Sequence, residues 1–197
     1  MIKLKTFVAE SVFPEDFYER RWEGYVVEEI VRLLGGKTSY RIVMNARLLR
    51  RAIRTASENA YDIFHLSCHG DERGIQLTDA EDISWEDLAG CFQKADHMPA
   101  ALVLSCCVGS DGGIARAFKE CNRRPEVIFG AEAKGKHALT FPGACMSWPI
   151  LYIKLVKRGM TRQAFIDAID KMNGIAPHRF VYRRWDGDRY LRYPRAA

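Results

Sequence analysis

The sequence predicts an α/β protein built on a mainly parallel sheet with helices on both faces. Three observations carry this. Short apolar runs alternate with helix-spaced stretches over most of the chain, the order expected of βαβ units. The runs are apolar throughout, as in Ala101-Leu102-Val103-Leu104, which is the pattern of strands covered on both faces. Two of them also stop abruptly on reactive side chains. Tyr61-Asp62-Ile63-Phe64-His65-Leu66-Ser67 runs into Cys68-His69-Gly70, and Ala101 to Ser105 runs into Cys106-Cys107-Val108-Gly109.

Taken in order, residues 4–9 are apolar after Lys5 and form the first predicted strand. Pro14 marks the connection that follows as a turn or a helix start. Between 17 and 34, Tyr18, Trp22, Tyr25, Val26, Ile30, Leu33 and Leu34 recur at helical spacing, and Gly35-Gly36 ends that helix. Residues 39–44 form a second strand. Asn45 is placed to cap a helix through Leu48, Leu49 and Ile53. A third strand at 62–67 opens into a loop holding His69 and Gly70, a short extended piece at 75–77 and a turn at 79–82. Ser84-Trp85-Glu86-Asp87 has the form of a capping box ahead of a helix over 85–92. Strands at 101–105 and 127–130 flank a loop at 109–113 and a helix at 114–121. Pro142 suits the first turn of a helix over 141–158, which Gly159 ends, and Thr161 caps another through Met172. The tail from Phe180 to Leu191 is expected to form two strand arms about Asp186-Gly187.

At 197 residues, 48% apolar and 28% charged, one globular domain is expected. No stretch approaches the roughly 18 apolar residues of a membrane span, and Met1-Ile2-Lys3 leads straight into a strand-like run, so a cytoplasmic home is expected. The six cysteines (Cys68, Cys91, Cys106, Cys107, Cys121, Cys145) have no regular spacing and no C-x-x-C pair. They are expected to be reduced thiols. His65 and His69, four apart on a strand, lie about 13 Å from one another and cannot share a metal. No cofactor is implied.

The chemistry therefore rests on the two strand ends. Cys107 supplies a candidate thiolate, expected just ahead of a helix whose free N–H groups favour negative charge. His69 can take the thiol proton and pass it to a leaving amine. Gly70, without a side chain, lets its N–H approach a substrate carbonyl. The N–H groups of Gly70 and Cys107 are the expected oxyanion hole. Cys106 is the rival nucleophile, because neighbouring strand residues face opposite ways and only one of the two can face His69. His65 and Cys68 are read as core, and His97, His137 and His178 are given no role.

Phe64-His65-Leu66-Ser67-Cys68-His69-Gly70, followed by Gly74-Ile75-Gln76-Leu77 and Ile83-Ser84-Trp85-Glu86-Asp87-Leu88-Ala89, resembles the CHAT family of caspase-like peptidases. Val103-Leu104-Ser105-Cys106-Cys107 is similar to that family's nucleophile segment, with Cys106 in an alanine place. Gly130, the helix after Phe141 and Gly159-Met160-Thr161-Arg162-Gln163-Ala164-Phe165 resemble its end. The likeness covers residues 60–172. It implies a three-layer caspase-haemoglobinase fold and endopeptidase activity through a Cys-His dyad, and its register selects Cys107 over Cys106. It also implies a protein or peptide substrate, an activating partner protein, and a place in regulated proteolysis or bacterial, including antiviral, defence. In caspase-like folds the pocket for the residue before the cut (P1) is lined from the end of the first strand, from two positions before the nucleophile, and from the loop after the next strand. Here those places hold Glu10, Ser105 and Glu132, with Asp111 a weaker candidate. Converging carboxylates would favour arginine or lysine at P1, whereas the plainer view makes Glu10 and Glu132 solvated loop charges.

Two other classes stay open. The net charge of +5 is concentrated in Arg47, Arg50, Arg51 and Arg54 and in Arg179, Arg183, Arg184, Arg189, Arg192 and Arg195. Arginines interleaved with Phe180, Tyr182, Trp185, Tyr190 and Tyr193 could stack on nucleic acid, but a solvated edge hairpin explains them equally and nucleic acid is not the expected partner. The remaining class is a catalytically silent domain of the same fold acting as an interaction module.

Overall fold

The structure is a computed structural model that describes residues 3–132, 138–175 and 179–194; His137, His178 and Arg195 lie outside it. Strands β1 (Lys5–Glu10), β2 (Lys37–Ile42), β3 (Ile63–Ser67), β7 (Ala101–Ser105) and β8 (Val127–Ala131) are mutually parallel. A terminal hairpin of β9 (Phe180–Trp185) and β10 (Tyr190–Tyr193) adds antiparallel to β8, giving the order β10-β9-β8-β7-β3-β1-β2. The chain steps from β1 to β2 on one side and then returns to lay β3 on the other. Ligands bind at such a switch point, beyond the carboxyl ends of the strands.

Helices cover both faces. Helices α3 (Ala46–Glu58), α4 (Trp85–Gln93) and α5 (Gly113–Lys119) pack with Phe7, Phe64, Leu66 and Leu104. Helices α2 (Glu23–Leu33), α6 (Phe141–Arg158) and α7 (Arg162–Ile175) pack with Val8, Ile63, Val103 and Phe129. Phe7 and Val8, adjacent in sequence, serve opposite faces, as strand alternation requires. The predicted caps form: the Asn45 side chain accepts the Leu48 N–H at 3.0 Å, and Ser84 Oγ accepts the Asp87 N–H at 3.0 Å. No helix among the described residues is long and apolar enough to cross a membrane.

Two local predictions need correction. The helix expected over 17–34 is two helices, α1 (Pro14–Tyr18) and α2, broken where Arg20 takes a φ of 57°. The apolar spacing is continuous across that break, so periodicity alone could not show it. The loop expected after β3 is instead part of a small antiparallel sheet of β4 (His69–Gly70), β5 (Gly74–Gln76) and β6 (Asp82–Ser84).

Candidate active site

Parallel register decides what meets at the carboxyl edge. Glu10 pairs with Ser67, and Ser67 pairs with Ser105, so the last residues of β1, β3 and β7 stand in one row. His69 lies two residues beyond that row on the β3 side and Cys107 two beyond it on the β7 side. Together with Cys68 and Leu139 these residues line a cleft of about 410 Å³.

The two loops touch directly. A side chain on Gly70 would place its Cβ 3.1 Å from the Cys107 carbonyl oxygen, 3.1 Å from that of Gly74 and 3.3 Å from Cys106 Cβ. Asp71 N–H donates to Gly74 O at 2.9 Å. By the alternation of an antiparallel ladder, Gly70 is then the non-bonded partner of Ile75, and its N–H points away from β5. Gly70→Ala is expected to lower stability by about 1–3 kcal/mol through overpacking against backbone that cannot rotate aside. A urea unfolding midpoint equal to that of the parent would contradict the close approach.

Cys106 and Cys107 lie just beyond the end of β7 and both line the cleft, but they differ in burial. Cys106 is buried among the apolar residues facing α3–α5, and Cys107 is half-buried on the cleft. Val108, a β-branched residue, has a φ of 50°, a conformation costing about 1–3 kcal/mol that persists where surrounding structure enforces it. Its surroundings do so: Ser110 N–H donates to Ala131 O at 2.9 Å, and Arg183 Nε donates to Ser110 O at 3.0 Å. Burial pushes the Cys107 thiol above its ordinary value, and neighbouring Cys106 adds to this, while the backbone N–H groups of Leu139 and of Cys107 itself oppose it. The expected help from a helix terminus is missing because α5 begins only at Gly113, six residues on. A resting thiol rather than a thiolate follows, so ionisation needs a base at the moment of attack.

Glu10 is fully buried. Its carboxylate accepts the Gly24 N–H at 2.7 Å and the Tyr40 hydroxyl at 2.6 Å. Gly24 permits this contact, since a Cβ there would lie 3.0 Å from the Glu10 carboxyl carbon. Burial pushes Glu10 up to about 7 against those two bonds, and the nearby Glu23 carboxylate pushes the same way. Glu23, not anticipated from sequence, also lines the cleft. Trp148 Nε1–H bridges it at 2.6 Å to Ser105 Oγ at 3.1 Å. His65 stands behind this group. Its Nδ1 meets the Tyr152 hydroxyl at 2.9 Å, but its buried Nε2 has no hydrogen-bond partner among the described residues and lies 3.8 Å from Glu23. The core histidine predicted to be satisfied is therefore half-satisfied. Cys68, read as core, packs against the layer facing α3–α5 and is also partly exposed on the cleft wall.

Glu132 and Asp111 are not brought to the cleft. Glu132, the first residue after β8, lies against the terminal hairpin, accepting Arg192 Nε at 3.0 Å with Arg183 at 3.5 Å and Arg179 at 3.7 Å. Three guanidiniums on one carboxylate make it a structural anchor for the strands that hold Ser110. Asp111 is exposed on the turn before α5. Of the other described tail arginines, Arg184 pairs with Glu126 and Arg189 with Asp186. Among the described residues, no group of three or more His, Cys, Asp or Glu is arranged to hold a metal ion.

No family model matches the chain, and no curated protein does either. Among solved structures it is similar to the Arg-specific cysteine proteinase gingipain R, with a TM-score of 0.53 at 10% identity over 89% of this chain. The fold is caspase-like. This chain matches 44% of that proteinase's length, so it spans less than half of the structure it resembles. At such identity the likeness speaks for the fold, and the chemistry has to be argued from the cleft.

Proposed function

We propose that this chain is a single-domain cysteine endopeptidase that cuts protein or peptide substrates after a basic residue, with Cys107 as nucleophile and His69 as general base. The observation that carries the proposal is the parallel register of β1, β3 and β7. It sets an imidazole and a thiol on adjacent strand ends above two buried carboxylates, in one cleft. The CHAT-like motifs of residues 60–172 support the same chemistry, and gingipain R, which shares the fold, is Arg-specific. A role in defence or regulated proteolysis, under an activating partner, rests on the motif resemblance alone.

In this mechanism His69 accepts the Cys107 thiol proton as sulfur attacks the substrate carbonyl carbon. The oxygen that becomes negative is held by the N–H groups of Gly70 and Cys107. The C–N bond then breaks, the leaving nitrogen takes the proton from His69, and an acyl-enzyme remains for water to hydrolyse. Glu10 and Glu23, with Ser105 between them, receive the P1 side chain. A guanidinium suits a site with two carboxylates, because it donates along two directions at once.

A mixed peptide library digested by the purified protein tests this, with Cys107→Ala as the blank. Cleavage after arginine or lysine is the expected profile. Cleavage after aspartate or a large apolar residue would sink the acidic-pocket assignment. No cleavage of any peptide would leave a silent interaction module.

A further inference from the structure

The proposed dyad leaves one nitrogen of His69 unexplained, and the structure supplies its partner. His69 Nε2 lies 3.2 Å from Asp16 Oδ2, and the Phe13 ring stacks on the imidazole at 3.9 Å between centroids and 13° between planes. Phe13 caps α1 at its N-terminus and Asp16 lies in its first turn, just past the connection that begins after Glu10. The other Asp16 oxygen accepts Arg21 Nη1 at 3.2 Å, which fixes the carboxylate's direction. Asp16 and Arg21 themselves line the Cys107 cleft. The break at Arg20 now has a use: it turns the chain so that Arg21 N–H donates to Asp16 O at 2.9 Å and the guanidinium folds back on the carboxylate.

We propose that Asp16 is a positioning residue for His69, turning the Cys-His pair into a Cys107–His69–Asp16 relay of fixed tautomer. Asp16 accepts a hydrogen bond from Nε2–H, so the bare nitrogen is Nδ1, which has no hydrogen-bond partner among the described residues. Nδ1 takes the Cys107 proton and later returns it to the leaving amine, while the Nε2 proton stays in place throughout. Phe13 holds the ring plane. A carboxylate behind a catalytic imidazole sets tautomer and orientation without itself becoming protonated. The inference rests on the peptidase proposal for its catalytic meaning, but its geometric content can be decided independently.

Asp16→Asn is the test, since it keeps shape and reverses the hydrogen bond. The Asn amide donates to Nε2, which forces the proton onto Nδ1 and removes the acceptor that Cys107 needs. The expected result is a fall in kcat of about 10²-fold or more, with KM for the same peptide unchanged within about threefold and an unchanged thermal midpoint. Imidazole ¹⁵N NMR, with His69 assigned by its loss in His69→Asn, should show Nε2 protonated and Nδ1 bare in the parent and the reverse in Asp16→Asn. Asp16→Glu should recover part of kcat. Identical nitrogen shifts in parent and Asp16→Asn would overturn the proposal, as would an unchanged kcat. The NMR measurement needs no turnover. A protein that cut nothing would therefore fail the proposed function while the His69–Asp16 contact was still decided by the nitrogen shifts.

Discussion

Cys107→Ala is expected to reduce kcat/KM for the best library peptide by about 10⁴-fold or more, the usual scale for removing a covalent nucleophile. Cys106→Ala should leave activity within about threefold, and it is the sharper half of the experiment. The two thiols are sequence neighbours that both touch the cleft, but Cys106 is buried in a packed apolar layer and Cys107 is only half-buried. Iodoacetamide provides a second readout. Because burial raises the Cys107 thiol above its ordinary value, alkylation of the resting protein should be slow at neutral pH and speed up as pH rises. Cleavage that survives in Cys107→Ala would refute the nucleophile assignment. So would activity lost in Cys106→Ala at unchanged stability.

The place of the two cysteines just past a strand end was legible from composition, although their different burial was not, since both lie in the turn beyond Ser105. The strands themselves were legible for a related reason: a run such as Ala101-Leu102-Val103-Leu104, buried on both faces, announces itself by composition. Helix α6 was read residue for residue, since Pro142 and Gly159 punctuate its ends. What escaped depends on distant partners or on broken local rules. Asp16 was read as part of the connection ahead of one amphipathic helix, and Glu23 fell inside that helix without a role. Only the left-handed Arg20, a residue type that gives no warning of that conformation, separates them into two helices aimed at the cleft. Glu132 sits at the strand-end position its place in the chain suggested. Its charge is claimed by Arg183 and Arg192, 51 and 60 residues later, and no local pattern encodes that pairing. His65 was expected to be a satisfied core residue. Its one partner, Tyr152, lies 87 residues on and leaves the second ring nitrogen bare beside Glu23.

That cluster of buried polar groups sets the second large effect, on substrate choice. In Glu10→Gln, kcat/KM for arginine peptides is expected to fall by about 10²-fold, the cost of leaving a bound guanidinium without one of its buried partners. The glutamine carbonyl can still accept from Gly24 N–H while its NH2 donates to the Tyr40 hydroxyl oxygen, so the pocket should keep its shape and thermal stability should change little. The sign with pH separates this from a packing defect. Burial raises Glu10 to about 7 in the empty pocket, so below that pH the carboxyl is mostly neutral and above it mostly ionised. A cationic P1 group binds the ionised form. KM for an arginine peptide should therefore fall as pH rises from about 6 to 7, by at most about tenfold per unit, and level off above about 8. In Glu10→Gln that dependence should flatten. A neutral P1 analogue should show none of it in either protein, because it has no charge to distinguish the two states of Glu10. If instead KM for arginine peptides were pH-independent in the parent, Glu10 would be a structural carboxyl held by Tyr40 and Gly24. The charge that selects P1 would then belong to Glu23, which Glu23→Gln would show by the same loss of arginine preference.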